Sequence, residues 1–215
     1  FGYQIVVTCD AIVCGVHFRS EDCPEDVAAR GLRVNLSDLA AMGACPVGYL
    51  LSLAVPSGTD PSWFERFSAQ LASDQATYNL KLIGGDTVMT PGPLTLSITA
   101  FGKIRTGQAL TRAGAKPGDK IFVSGNVGDA LLGLKLLRGE LRSALASQVA
   151  ALKDRFLRPE PRIALGQALI GVAHAVIDVS DGLIADTGHI CALANLGARL
   201  NISSVPLSSG ARAIL

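Results

Sequence analysis

The sequence of 215 residues lacks several features that would assign a protein to a class at once. No run of about 18 uninterrupted apolar residues is present, so no membrane-spanning helix is predicted, and no signal peptide is visible at its start. The 19 lysines and arginines nearly balance the 18 aspartates and glutamates, which leaves a net charge of +1. Nucleic-acid-binding proteins usually carry a basic excess on one face. We therefore expect neither a membrane nor a nucleic acid among the partners.

The cysteines form no recognisable metal or redox motif. Their number is odd and no two of them have the Cys-x-x-Cys spacing; they are Cys9, Cys14, Cys23, Cys45 and Cys191. Reduced thiols of this kind are typical of cytosolic proteins. We therefore expect a cytoplasmic location.

Two familiar catalytic motifs are also missing. No Gly-Lys-Ser/Thr follows either glycine-rich turn, so the chain has no Walker A loop. Ser180 is not part of a Gly-x-Ser-x-Gly elbow, which argues against a serine nucleophile.

Hydrophobic residues make up 49% of the chain and charged residues 17%. These proportions are those of a globular protein. The length of 215 residues leaves room for one large domain or two small ones.

What the sequence does contain is an alternation of strand-like and helix-like segments, which predicts an α/β protein. The predicted strands are 4–8, 48–55, 80–83, 94–104, 120–124, 175–179 and 198–202. The predicted helices are 24–42, 61–79, 129–137, 143–156, 161–173 and 183–196. A proline-glycine turn at 116–119 follows a segment rich in glycine and basic residues. We therefore predict two α/β units, with domains at 1–111 and 112–215.

Several aspartates stand where ligands bind in such folds. Four of them lie at or just past the end of a predicted strand: Asp10, Asp86, Asp178 and Asp181. Loops beyond the carboxyl ends of strands commonly carry ligand-binding groups. Asp38 lies three residues after Asn35 on the first predicted helix, so the two share a face. Clustered carboxylates repel one another unless a cation compensates, and hard oxygen ligands suit Mg²⁺. The alternative is that each acid caps a helix or a turn.

Other residues are candidates for binding phosphate. The turns 84–87 and 125–129 contain glycines that allow close backbone approach, although tight turns need glycine for geometric reasons alone. Arg112 could clamp a phosphate or lie at the surface. His17 could contact a substrate phosphate or cap a turn, and Ser180 could donate to a phosphate.

Four stretches in this order resemble the thiamine-monophosphate kinase family. They are Val-Asn-Leu-Ser-Asp-Leu-Ala-Ala-Met-Gly-Ala at 34–44, Leu-Ile-Gly-Gly-Asp-Thr at 82–87, Leu-Thr-Arg-Ala-Gly-Ala-Lys-Pro-Gly-Asp at 110–119 and Ile-Asp-Val-Ser-Asp-Gly-Leu at 177–183. The resemblance implies the two-domain α/β (α+β) fold called PurM-like. In that fold an N-terminal mixed sheet with helices dimerises and a C-terminal α/β domain follows.

The resemblance also implies an activity, a homodimer and a set of site residues. The activity is the ATP-dependent phosphorylation of thiamine monophosphate to thiamine diphosphate with several Mg²⁺ ions. The implied metal-binding residues are Thr8, Asp10, Asp38, Asp86, Asp178 and Asp181. The implied ATP contacts are Gly85, Arg112 and Ser180, and His17 is implied to face the thiamine phosphate. No protein nucleophile is expected, because the metals neutralise charge with the help of Arg112.

The chain also departs from the family pattern. Thr8-Cys9-Asp10-Ala11 stands where the family usually has Ser-Thr-Asp-Thr, so Cys9 replaces a hydroxyl. A Gly-Asp-Asp segment upstream and a Ser-Gly-Gly-Glu-Asp-Tyr-like segment downstream are absent, so we expect a chain truncated at both ends. Two alternatives stay open: another ATP-dependent synthetase of the superfamily, of the selenophosphate or aminoimidazole ribotide type, and a truncated, non-catalytic dimer that binds nucleotide or thiamine phosphate.

Overall fold

The structure is a computed structural model that describes residues 2–142 and 146–214. The strands are β1 (Tyr3–Val13), β2 (Cys45–Pro56), β3 (Lys81–Thr90) and β4 (Thr95–Arg105). The helices are α1 (Pro24–Ala41), α2 (Pro61–Tyr78), α3 (Asp129–Leu137), α4 (Ala146–Leu157), α5 (Ile163–Ala168), α6 (Leu183–Ala194) and α7 (Ser209–Ile214), with a 3₁₀ turn at Ile202–Ser204. None of these helices has both the length and the apolar character required to cross a bilayer.

The four strands form one mixed sheet in the order β1-β4-β2-β3. β4 pairs antiparallel with both β1 and β2, whereas β2 and β3 are parallel. Buried and more exposed residues alternate along β1 and β4, as expected for a sheet with one covered face. The predicted mixed sheet of the N-terminal part is confirmed.

The covered face of the sheet packs against α1 and α2. α1 begins with Pro24 in its first turn, where proline is favoured, and ends before Gly43, whose φ is +70°. Its buried stripe includes Leu32, Leu36 and Leu39, which share a core with strand residues such as Ile98. This core fixes α1 against the sheet and thereby positions the polar residues of α1.

The chain divides into two compact units, and each is described separately. The first comprises Phe1–Ala109 together with Glu160–Val172, so α5 belongs to the sheet unit. The second comprises Leu110–Pro159 and Ala173–Leu215. It contains a small apolar cluster of Leu132, Leu136, Leu152 and Ala211. In the predicted division at residue 111, no segment of the C-terminal part belongs to the first domain. This division stays a prediction.

Several predicted elements need correction. The segments 120–124, 175–179 and 198–202 are not strands, because no ladder pairs with them among the residues that the structure describes. The predicted helix 161–173 is reduced to the six residues of α5, and the first three residues of predicted helix 143–156 lie outside the described residues. In the first unit, β1 and β3 run beyond their predicted ends, because β4 and β2 offer pairing partners that far.

Candidate functional site

Thr8 and Asp38 meet between the sheet and α1. The Thr8 hydroxyl donates a hydrogen bond of 2.5 Å to Oδ2 of Asp38, although 30 residues separate the two in sequence. Thr8 lies on β1 and Asp38 on the second half of α1, so the packing of this helix brings the pair together. Two predicted metal ligands are therefore neighbours in the first unit.

Asp10 is connected to the same helix through Asn35. The backbone N–H of Asp10 donates to Oδ1 of Asn35 at 3.2 Å, and Nδ2 of Asn35 donates to the carbonyl of Gly31 at 3.0 Å. Asn35 is fully buried. Sequence reasoning identified the polar face of Asn35 and Asp38 but not its partner, which is β1. Because the Asn35 side chain bonds both to Asp10 and to the backbone of its own helix, it fixes the position of Asp10 on β1 relative to α1.

Cys9 points away from this group. Its thiol is exposed and accepts a hydrogen bond from the Thr99 hydroxyl at 3.3 Å. Successive side chains of a strand face opposite sides of the sheet, so Cys9 lies on the face opposite Thr8 and Asp10. The substitution of cysteine for a hydroxyl residue at this position therefore leaves the Thr8–Asp38 pair untouched.

Gly85 and Asp86 lie inside β3 and not in a turn after it, as the sequence had suggested. In the parallel ladder Gly85 pairs with Leu51 and Asp86 pairs with Ser52. Gly85 has φ +156°, and a Cβ here would overlap the Leu51 backbone, so only glycine fits. Residues 82–87 and Leu51 line an open depression of about 570 Å³. Oδ1 of Asp86 accepts the N–H of Thr87 at 2.8 Å, which agrees with the local hydrogen-bonding alternative.

His17 lies in the turn that follows β1. Its Nδ1 accepts the backbone N–H of Val13 at 3.1 Å, so the side chain caps the turn. The ring is otherwise exposed. Of the two interpretations that the sequence left open, turn capping is therefore seen directly, and substrate contact stays a prediction.

The glycine turn at 125–128 leads into α3, with Gly128 at φ +89°. Asp129 is the first residue of α3 and is buried, and its Oδ1 accepts the Ser208 hydroxyl at 2.7 Å. An acidic side chain thus stands where a phosphate would meet the helix start. This arrangement favours the geometric explanation of the two glycines over a phosphate loop.

In the second unit, three predicted site residues precede α6: Asp178, Ser180 and Asp181. None of them ends a strand, so their predicted position beyond a strand is wrong. Instead, a residue that sequence reasoning missed holds this segment. Asp186, in the first turn of α6, is buried, and its Oδ2 accepts the backbone N–H groups of Ser180, Asp181 and Gly182 at 3.0, 3.2 and 3.0 Å. The sequence signal that could have identified Asp186 is an acidic residue in the first helical turn after Ser-Asp-Gly.

Arg112 is exposed and lies in an irregular segment of the second unit. Further along that segment, Asp119 accepts the N–H of Lys116 at 2.8 Å and contacts Nδ1 of His174 at 2.9 Å. The Lys116 hydrogen bond and then the His174 contact lower the pKa of Asp119 below its ordinary value of 3.8. Asp119 therefore stays ionised and closes the turn that follows Arg112.

Comparisons with known proteins place this geometry in a family context. Residues 1–104 match the family described as "AIR synthase related protein, N-terminal domain". The thiamine-monophosphate kinase of Caulobacter vibrioides is 46% identical over 214 residues, which are 100% of this chain and 60% of that protein. The chain thus spans about three fifths of this curated relative.

Two solved structures are similar over nearly the whole chain. The crystal structure of thiamine-monophosphate kinase from Stenotrophomonas maltophilia K279a has a TM-score of 0.93 and 44% identity, and the match covers 100% of this chain and 68% of that one. The structure described as "AaThiL complexed with AMPPCP and TMP" has a TM-score of 0.91 and 32% identity, and covers 97% of this chain and 66% of that one.

Proposed function

This chain belongs to the thiamine-monophosphate kinase family, and we therefore propose that the whole protein transfers the γ-phosphoryl group of ATP to thiamine monophosphate. The observation that carries the proposal is the grouping of Thr8, Asp10 and Asp38 between β1 and α1. A relative complexed with AMPPCP and TMP supports the choice of ATP and thiamine monophosphate as the two substrates.

The donor groups of both units suit Mg²⁺. In the first unit they are the hydroxyl of Thr8 and the carboxylates of Asp10, Asp38 and Asp86, and in the second they are the carboxylates of Asp178 and Asp181. Hard oxygen ligands without histidine or cysteine are what Mg²⁺ prefers. We assign Thr8, Asp10, Asp38, Asp86, Asp178 and Asp181 to holding several Mg²⁺ ions. When bound, these ions would neutralise the charge of the two polyanionic substrates.

The chain's own residues bind and orient the substrates. Gly85 is one of the β3 residues that line the open depression, and it carries no side chain because a Cβ would meet the backbone of Leu51. Arg112 carries an exposed guanidinium, which can clamp a phosphate through two hydrogen bonds. We assign both residues and Ser180 to ATP, and His17 to thiamine monophosphate through the ring nitrogen that Val13 does not use.

The reaction needs no protein nucleophile and no strong base. A terminal oxygen of thiamine monophosphate is largely ionised near neutral pH, since the second pKa of a phosphate monoester is about 6. That oxygen forms the new bond to the γ-phosphorus while the bond to the bridging oxygen breaks and ADP leaves. No phosphoenzyme is formed in this scheme, so detection of one would contradict it.

The decisive test is a product assay on the intact protein with ATP, Mg²⁺ and thiamine monophosphate. We expect thiamine diphosphate and ADP in equal amounts. Asp38→Asn should lower kcat/KM about a thousandfold, which corresponds to about 4 kcal/mol of lost transition-state stabilisation. Cys9→Thr, on the opposite face of β1, is the matched control and should stay near wild type. Turnover in the Asp38→Asn variant at the wild-type rate would refute the assignment.

The open face of the sheet supports a homodimer. Tyr3, Ile5 and Val7 of β1 point away from α1 and are 60%, 63% and 54% exposed. A contiguous exposed apolar surface of this kind usually marks an interaction site. We propose that a second copy covers this face. Ile5→Glu should yield a monomer in sedimentation experiments, whereas Val172→Glu, an equally exposed position outside the sheet, should leave the dimer intact.

We also propose that the protein acts in the cytoplasm, where ATP and Mg²⁺ are abundant. All five cysteines are free thiols. Free thiols are usual in a reducing compartment.

A further inference from the structure

The carboxylate of Asp186 holds the backbone of the segment that precedes α6. A single oxygen, Oδ2, accepts three consecutive backbone N–H groups, those of Ser180, Asp181 and Gly182. The residue is only 3% exposed, so water competes little for these bonds. Hydrogen bonds to an ionised acceptor are about twice as strong as neutral ones. The positions of these three residues therefore depend on one side chain.

The same bonds determine what the start of α6 can bind. Free N–H groups at a helix N-terminus normally attract anions. Here three amides are already paired with a carboxylate, and its charge offsets the positive end of the helix. What this segment presents to a ligand is therefore the side-chain oxygens of Ser180 and Asp181. Such a segment suits a cation better than a bare phosphate.

We propose that Asp186 is a positioning residue for phosphoryl transfer, which holds Ser180 and Asp181 in place without itself touching metal or substrate. Its kinetic consequence rests on the proposed function, while its structural consequence does not. The competing explanation is direct metal binding, because ligand atoms of Asp181, Asp186 and His189 lie within 4.8 Å of one another.

Two substitutions separate these explanations. Asp186→Ala removes the acceptor, whereas Asp186→Asn keeps a neutral oxygen that can accept the three N–H groups but is a poor metal ligand. For a positioning residue, Asp186→Ala should lower kcat about 10- to 100-fold, and Asp186→Asn should stay within a few-fold of wild type. Equal losses in both variants would favour metal binding and overturn the inference, and so would wild-type activity in Asp186→Ala.

Amide hydrogen exchange supplies a readout that is independent of activity. In the intact protein without nucleotide, exchange at residues 180–182 should accelerate strongly in Asp186→Ala and much less in Asp186→Asn, whose neutral oxygen accepts weaker hydrogen bonds. Exchange in the last turns of α6 should stay unchanged in both variants. Asp60→Ala is the matched control, because Asp60 caps α2 through the N–H of Ser62 in the other unit. It should leave exchange at 180–182 and the kinetics unaltered.

The two arms also separate failure of the inference from failure of the proposed function. If no thiamine diphosphate forms in wild type but exchange follows the expected pattern, the kinase assignment is wrong and the positioning of the segment stands. If exchange at 180–182 is unchanged in Asp186→Ala, the positioning role is wrong whatever the activity.

Discussion

The two units hold their acidic residues in different ways. In the first unit, Asp10 and Asp38 belong to a strand and a helix that share a large core, and contacts between these elements fix them. In the second unit, Asp178 and Asp181 lie on an irregular segment, and three hydrogen bonds to Asp186 fix its end. The first arrangement depends on the whole fold of its unit, whereas the second relies on a single side chain for the positions of residues 180–182.

The candidate residues of the two units should therefore be sensitive to different changes. Those of the first unit should be displaced by loss of core packing or of a buried polar contact. Residues 180–182 of the second unit should be displaced by a local change near α6. Four experiments, given in order of decreasing expected effect, test whether the contrast between a core-held unit and a locally held unit is real.

The buried ion pair between α1 and α2 should matter far more than an exposed pair in the second unit. Arg33 donates to both oxygens of Asp74, at 3.0 and 2.8 Å, and Asp74 is almost fully buried. Burial, and then the Asp74 charge, raises the pKa of Tyr49 to about 12, which shows how poorly solvated this region is. Arg33→Met should cost about 3–5 kcal/mol in urea unfolding, because it leaves a buried charge without its partner.

The matched control for this pair is Arg138→Met in the second unit. Arg138 and Glu140 are 3.8 Å apart and both half exposed, so the expected cost is about 0–1 kcal/mol. Equal costs for the two substitutions would contradict the contrast between the units.

Core truncations should show the same asymmetry. Leu36 in the first unit and Leu152 in the second are both buried, but among the described residues the buried cluster of Leu152 has four members. Leu→Ala substitutions in cores cost about 2–5 kcal/mol, more where neighbours cannot close the cavity. We expect Leu36→Ala near the top of this range and Leu152→Ala near the bottom.

Fluorescence can assign these losses to a unit, because Trp63 is the single tryptophan and packs on the first core. In Leu36→Ala, the unfolding transition that Trp63 fluorescence reports should move to a lower urea concentration. If it moved further in Leu152→Ala, the expected difference between the two units would be wrong.

Loss of the Asn35 contact should weaken activity more than stability alone explains. Asn35→Ala leaves the N–H of Asp10 and the carbonyl of Gly31 without this partner. Because Asn35 supports a proposed metal-binding residue, we expect activity or Mg²⁺ affinity to fall about 10- to 100-fold. Asn201→Ala, which removes an exposed backbone cap in the second unit, should change neither. Unaltered Mg²⁺ dependence in Asn35→Ala would show that Asp10 is held by the strand alone.

The smallest expected effect concerns the Asp119 turn of the second unit. Because the pKa of Asp119 is lowered in the folded state, its contribution to stability is present above its ordinary pKa of 3.8 and is lost as the pH falls through the lower folded value. Protonation of Asp119 should therefore move the chemical shift of the Lys116 amide in an acid transition whose midpoint lies below pH 3.8. In Asp119→Asn this acid transition should disappear.

Asp60→Asn in the first unit is the control for this measurement. Hydrogen bonds from Ser62 lower the pKa of Asp60 as well, but its loss should leave the Lys116 amide unchanged. A midpoint above pH 3.8 for the transition that Asp119→Asn removes would contradict the direction of the Asp119 shift.

Local signals in the sequence predicted the helices better than the strands. Pro24 and Gly43 mark both ends of α1, and the structure confirms the helix to within a residue. β3 was predicted to end before Gly84, but it continues to Thr90 because β2 pairs with it throughout. The three strands predicted in the second unit were wrong because a strand needs a neighbouring strand to pair with. No ladder in the described part of the chain supplies one.

Residue types and short spacings were enough to identify the family, the helical stripes and the candidate acidic residues. The contact of Thr8 with Asp38, the contact of Asn35 with Asp10 and the side of the sheet on which Cys9 lies became visible in the folded structure alone. The physical reason is the range of the interactions. A spacing of three or four residues is visible along the chain, whereas a contact across 25 or 30 residues exists only once a core has packed the helix onto the strand.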